Sequence, residues 1–322
     1  MADRQRPLAA PSRPLTAPAG WRSVEFPSDG AFLRGRFYGH PDGAPRATVV
    51  MAHGFSATIA GMAADDYAEA LQAAGLNVLL YDHKGFGISG GERRHVLNRW
   101  TQAVGYGHAL DFVATMPSVD PERLAIWGDS MSGGVAICVA AFDQRVRALV
   151  VQVPACGSEP PPADSDGNDY QLLLDLYQAG GPRGYPVEST GPMPVVSGDP
   201  ATTPSLLEPV SAYRWFMRFG SRPETGWANE AVFETVVTPV PLHPGLCAPH
   251  LRGPSFWAIA TVDEMPGAAT AVSRSAFESA RHPKELSLID GGHFGLLYPG
   301  RLFDRVSRAQ ARFLARHLSH EP

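Results

Sequence analysis

The chain has 322 residues, more than one ordinary domain needs and fewer than two independent domains take, which favours one large domain with an insertion. Its composition, 44% hydrophobic and 18% charged, excludes a disordered polyelectrolyte and supplies a sizeable core. A formal charge of −5 without a basic run excludes the electrostatic footprint of a nucleic-acid binder.

Residues 1–20, MADRQRPLAAPSRPLTAPAG, have no continuous apolar stretch and read as a disordered Pro/Ala-rich tail. Residues 23–26 and 31–38 read as two strands around a turn at Ser28-Asp29-Gly30. ATVVMA (47–52) is a short apolar run of the kind that suits a strand covered on both faces. Tyr67, Ala70, Leu71 and Ala74 follow at helical spacing, ending at Gly75, and NVLLY (77–81) is the next buried strand. A second helix carries Ala103, Tyr106, Gly107, Leu110, Val113 and Ala114 on one face and stops before Pro117. RLAIW (123–127) is a strand, a glycine-rich helix starts near Met131, and RALVVQV (147–153) is another strand.

The alternation then breaks. Residues 156–250 are rich in Pro, Gly, Asp and Thr, with helical stripes at Tyr170, Leu173, Leu174 and Tyr177 and at Tyr213, Phe216 and Met217. Alternation resumes with SFWAIAT (255–261), a helix over about 267–281, ELSLI (285–289) and an amphipathic helix over about 301–318. Alternating strands and helices imply an α/β fold with a mostly parallel sheet. A connection of this length must be a subdomain. The expected division is a core of 21–155 and 251–322 with a cap or substrate insertion at 156–250.

The strongest chemical signal is Gly128-Asp129-Ser130-Met131-Ser132-Gly133-Gly134, between the strand RLAIW and an apolar helix. A serine at so tight a strand-to-helix turn is held in a strained conformation, with its hydroxyl exposed at the helix N-terminus. Ser132 stands where such turns usually carry a second glycine. A serine hydroxyl needs a base, and the base needs an orienting carboxylate. Asp263 lies just past SFWAIAT and His293 just past ELSLI, in the order Ser, Asp, His and at the C-terminal ends of strands, where open α/β sheets place their sites. Glu264 is the alternative acid. Two backbone N–H groups must hold the oxyanion; Met131 supplies one and Phe55, in the loop His53-Gly54-Phe55-Ser56, the other. His53, Asp82 and His83 are read as structural braces of these loops, and Asp129 as pointing away from the base.

The segments VVMAHGFSA, YDHKGFGISGGE, WGDSMSGG, WANE and DGGHFGLLY resemble the α/β-hydrolase superfamily over roughly residues 24–318. Within it they are similar to a branch of bacterial hydrolases and fungal polyketide thiohydrolase-like proteins related to X-Pro dipeptidyl-peptidases. The branch usually reads D-H-R-G-F-G in the second segment, where this chain has Lys84. The resemblance implies an α/β-hydrolase sheet with helices on both faces and a helical cap, and acyl-bond hydrolysis or acyl transfer without a cofactor. It leaves the substrate open.

The resulting expectation is a serine hydrolase cleaving an ester or thioester of an apolar acyl group, with Ser130 as nucleophile, His293 as base and Asp263 as acid. An acyltransferase or cyclase using the same acyl-enzyme, and a non-catalytic binding protein on the same fold, are the alternatives. Trp227 and Asn229 in the insert are candidates for lining the substrate pocket. No metal is expected, because the histidines form no H-x-x-x-H pair with carboxylate support. Cys138, Cys156 and Cys247, odd in number and widely spaced, read as buried thiols. The expected partner is a small-molecule acyl substrate, with neither nucleic acid nor membrane, and a homodimer is left open. No apolar run reaches the ~18 residues of a transmembrane helix, and a cytoplasmic location is the expectation.

Overall fold

A computed structural model describes residues 20–61 and 64–319. The tail expected over 1–20 lies, Gly20 apart, outside the described residues. The main sheet has eight strands: β1 (Trp21–Ser28), β2 (Ala31–Tyr38), β3 (Arg46–Ala52), β4 (Asn77–Tyr81), β6 (Val119–Asp129), β7 (Val146–Gln152), β10 (Ser255–Ala260) and β11 (Lys284–Ile289), in the order β1-β2-β4-β3-β6-β7-β10-β11. From β4 to β11 every neighbouring pair is parallel, and the β1–β2 hairpin adds an antiparallel edge. Asp29 and Gly30 close that hairpin with φ of +44° and +75°, the left-handed pair that a two-residue turn between twisted strands requires.

The apolar runs work as strands because both sheet faces are covered. Val49 and Met51 face one side, with Tyr67 and Leu71 of α1 (Ala64–Ala73) and Phe313 and Leu314 of α8 (Arg301–His317). Val50 and Ala52 face the other, against α2 (Arg99–Ala114), α3 (Ser130–Phe142) and α7 (Thr270–Ser279). Strand residues alternate between faces, so two buried faces demand an unbroken apolar run. Cys138, Cys156 and Cys247 are buried free thiols, and burial pushes Cys156 up to about 12, so it stays protonated.

The segment between β7 and β10 holds the expected helices, α4 (Asn168–Gln178) and α5 (Val210–Phe219), and a short α6 (Pro244–Cys247). It also contributes β8 (Val187–Met193) and β9 (Ala231–Val236) to a three-stranded sheet completed by β5 (Val96–Asn98). This sheet was not expected. VESTGPM in β8 is almost wholly exposed, so it carries no hydrophobic alternation to read. The α4 stripe packs on the core flank, where Tyr170 donates to the Ala141 carbonyl and its ring lies near Phe142. The α5 stripe instead covers the C-terminal edge of the main sheet, through Trp215 stacked on Phe294. Helix α7 begins at Thr270 rather than near 267 because Gly267 sits at φ +76°, outside helical geometry. No helix among the described residues is long and apolar enough to cross a membrane.

Candidate active site

Ser130 is the first residue of α3, immediately after β6, and its φ is +50°. A non-glycine residue there is strained, and the strain lifts the side chain clear of both strand and helix. The turn is so close that a Cβ on Gly128 would lie 2.5 Å from the Ser132 carbonyl oxygen, so only glycine fits. Ser132 has its own use. Its buried hydroxyl donates to the His53 carbonyl and accepts from His83 Nε2 at 2.8 Å. Burial holds His83 well below the ordinary imidazole value, so its ring stays neutral and Nε2 carries the proton in this network. His53 Nε2 lies 2.8 Å from Asp82 Oδ1, which also accepts from Ile59 N, and Asp82 Oδ2 accepts from Ile88 N. The loops after β3 and β4 are thus stapled beneath the serine, and Lys84 lies apart, with its ammonium on Asp29.

His293 and Asp263 arrive from the loops after β11 and β10. His293 Nε2 lies 2.9 Å from Ser130 Oγ, and its Nδ1 lies 2.8 Å from Asp263 Oδ2 and 3.0 Å from Oδ1. Both imidazole and carboxylate are buried. Met265 N–H donates to Asp263 Oδ1, and Asp263 N–H donates to Thr270 Oγ1. Glu264 is not the partner of the ring. Its carboxylate accepts from the His293 backbone N–H at 2.9 Å and from the Ser211 hydroxyl of α5. A Cβ on Gly292 would lie 2.4 Å from Glu264 Oε2, so a larger residue there would displace that carboxylate. Glu264 therefore holds the histidine loop in place and ties it to the inserted segment.

Phe55 and Met131 line the same cavity as Ser130 and His293. Met131 lies in the first turn of α3, whose N-cap Asp129 makes no side-chain capping bond, so its N–H has no intrahelical partner. The cavity is about 320 Å³, within the usual range for a small-molecule site. Its walls are mainly apolar: Leu206, Trp215 and Phe216 come from the inserted segment, Phe233 from β9, and Met265 and Leu297 from the core. Trp227 and Asn229, expected to line the pocket, do not. Trp227 stacks on Phe216 at 5.2 Å from behind, and Asn229 clamps the Val196 backbone through bonds of 2.9 and 3.0 Å. Both side chains are spent on holding the wall. The lining residues Thr190, Phe233 and Arg99 were not read from sequence; the first two belong to the small sheet, and Arg99 begins a core helix. Among the described residues no group of histidine, cysteine, aspartate and glutamate could hold a metal ion.

Asp129 is buried beside Ser130, with Oδ1 unpartnered among the described residues. Burial pushes its carboxyl up to about 6, against the opposing pull of His53 and His293. A carboxyl raised in the native state binds more protons folded than unfolded between about pH 4 and 6, so its contribution to stability falls as pH rises through that window. Asp129→Asn removes this dependence. The variant should gain stability relative to wild type between pH 4 and 7, by an amount on the order of 3 kcal/mol, read from urea unfolding midpoints at the two pH values. An equal difference at both would show that Asp129 does not titrate in this range.

Comparison with known proteins agrees with this architecture. A family model described as "Serine aminopeptidase, S33" matches residues 43–193. The thiohydrolase aneE of Aspergillus aculeatus is 39% identical over 136 residues, a stretch spanning 42% of this chain and 42% of that relative, so the match covers less than half of either. The quorum-quenching protein AidA of Acinetobacter baumannii is 26% identical over 275 residues, 83% of this chain and 86% of that protein. The polyketide transferase grgF of Penicillium sp. is 26% identical over 300 residues, 92% of this chain and 96% of that protein. A crystal structure of the α/β hydrolase GrgF from Penicillium sp. superposes with a TM-score of 0.67 at 23% identity, over 92% of this chain and 99% of that one, a likeness of fold. The chain has the α/β-hydrolase fold and resembles thiohydrolases and polyketide transferases.

Proposed function

We propose that the protein is a serine hydrolase cleaving a carboxylic ester or thioester of an apolar acyl substrate. The observation that carries this reading is the continuous hydrogen-bonded line Ser130–His293–Asp263 opening on the apolar cavity. Asp263 accepts from His293 Nδ1–H, which leaves the Nε2 lone pair for the Ser130 hydroxyl proton. Ser130 Oγ attacks the carbonyl carbon as His293 takes that proton. The N–H groups of Phe55 and Met131 hold the oxyanion, and their preorganisation lowers the barrier because the charge develops between fixed dipoles. His293 then protonates the leaving alcohol or thiol, giving the acyl-enzyme. Water, deprotonated by the same imidazole, attacks the acyl carbon and releases the free acid and Ser130. In this reading the 156–250 insertion is a cap that sets the acyl group through Leu206, Trp215 and Phe216.

A second reading is favoured by the likeness to polyketide transferases. In it the same acyl-enzyme is resolved by an amine, an alcohol or the substrate's own hydroxyl, which requires water to be kept out of the closed cavity. Product mass separates the two. Incubation with N-acetylcysteamine thioesters of medium-chain hydroxy acids should release free thiol and the free acid, heavier than the cyclised product by the elements of water. Thiol release with only a cyclised or transferred product would replace the first reading by the second. No thiol release from thioesters and no alcohol release from esters would overturn both.

A further inference from the structure

Arg99 is the only lysine or arginine among the described residues lining the cavity. It is the first residue of α2, directly after Asn98, where β5 hands the chain from the small sheet to the core. Its side chain also borders an adjoining narrow pocket formed with Gly134, Cys138, Leu242 and Pro244. Its Nε is shielded from solvent without a hydrogen-bond partner, and no hydrogen bond or ion pair to its guanidinium is found among the described residues. Surface arginines of this protein behave differently: Arg145 pairs with Asp143 and Asp111, and Arg147 with Glu122. The single carboxyl group of the lining, Asp129, makes no ion pair with Arg99 either.

Two physical costs are therefore left uncompensated. Arg99 is partly buried, and shielding its Nε from water without a partner is costly. A cation in the first turn of a helix also faces the positive end of the macrodipole. Burial accordingly pulls Arg99 below its ordinary value. An arriving anion would offset both costs at once. The remaining walls are mainly apolar and supply no second lysine or arginine, which suits a singly charged planar carboxylate rather than a phosphate.

We infer that Arg99 anchors an ionised carboxylate carried by the acyl chain, so that the preferred substrates are monoesters or monothioesters of dicarboxylic acids. The inference rests on the serine-hydrolase reading for its chemistry but not for its binding site. An α-ammonium substrate would be repelled at the same position.

The test compares p-nitrophenyl hydrogen adipate with p-nitrophenyl hexanoate, which match in chain length and differ in the terminal charge. Wild type should show kcat/KM at least about tenfold higher for the carboxylated ester. Arg99→Met should reduce that preference by roughly 10–100-fold, mainly through KM, and Arg99→Lys should restore part of it, since it keeps the charge but not the fork. No preference in wild type, or one unchanged in Arg99→Met, would overturn the inference. Calorimetry supplies a readout independent of turnover. Adipate should bind the Ser130→Ala protein and fail to bind Ser130→Ala/Arg99→Met. Hydrolysis of both esters without preference would sink the anchor and leave the hydrolase. Arg99-dependent adipate binding without any ester turnover would sink the hydrolase and leave the anchor.

Discussion

Ser130→Ala should lower kcat for a short p-nitrophenyl ester by roughly 10⁴–10⁶-fold and abolish labelling by a fluorophosphonate. The size follows from the geometry. The hydroxyl is the one group placed 2.9 Å from His293 Nε2, so removing it leaves the base with nothing to activate except water. The residual rate is what the Phe55 and Met131 N–H groups and the cavity supply alone. Alanine at φ +50° carries about the same backbone strain as serine, of order 1 kcal/mol, so the thermal midpoint should barely move and the loss can be assigned to chemistry. Mass spectrometry of the labelled wild type should place the phosphonate on the peptide containing Ser130. A fully labelled serine elsewhere would end the proposal.

Asp263→Asn should cost roughly 10³–10⁴-fold in kcat with KM little changed. Met265 N–H donates to Oδ1, so the amide oxygen of an asparagine would stay there and its NH₂ would take the place of Oδ2, facing His293 Nδ1. Two donors cannot face each other. The imidazole would move its proton to Nε2 and present a donor to Ser130, and the base would be lost with the geometry intact. Titrating the remaining activity against pH while following the imidazole ¹⁵N shifts would show the tautomer directly. Unchanged tautomer and unchanged kcat would remove Asp263 from the machinery.

Much of this was legible in the polymer because buried parallel strands are locally written. ATVVMA, NVLLY, RLAIW, RALVVQV and SFWAIAT are predominantly apolar, and each forms a strand. Ser130, Asp263 and His293 sit in the short loops that end these runs, so the sequence places them at one sheet edge. Glu264 shows where local reading stops. It was weighed only as an alternative acid, yet it bonds the His293 main chain, because which of two adjacent carboxylates turns towards the ring depends on the loop's path.

The insertion was less legible for the same reason reversed. Exposed strands such as β8 carry no burial pattern, and the small sheet is completed by the pairing of β9 with β5, which joins residues far apart in the chain. Trp227 and Asn229 look like pocket residues by type, but the fold uses one to back Phe216 and the other to clamp Val196. Arg99 gave no signal beyond a cation at a helix start. Local physics, periodicity and turn chemistry, determined the α/β architecture and the placement of Ser130, Asp263 and His293 in the sequence alone. The lining of the cavity, its uncompensated charge and the braces behind it were decided only by tertiary packing, because burial and pairing of a side chain are properties of its neighbours in space.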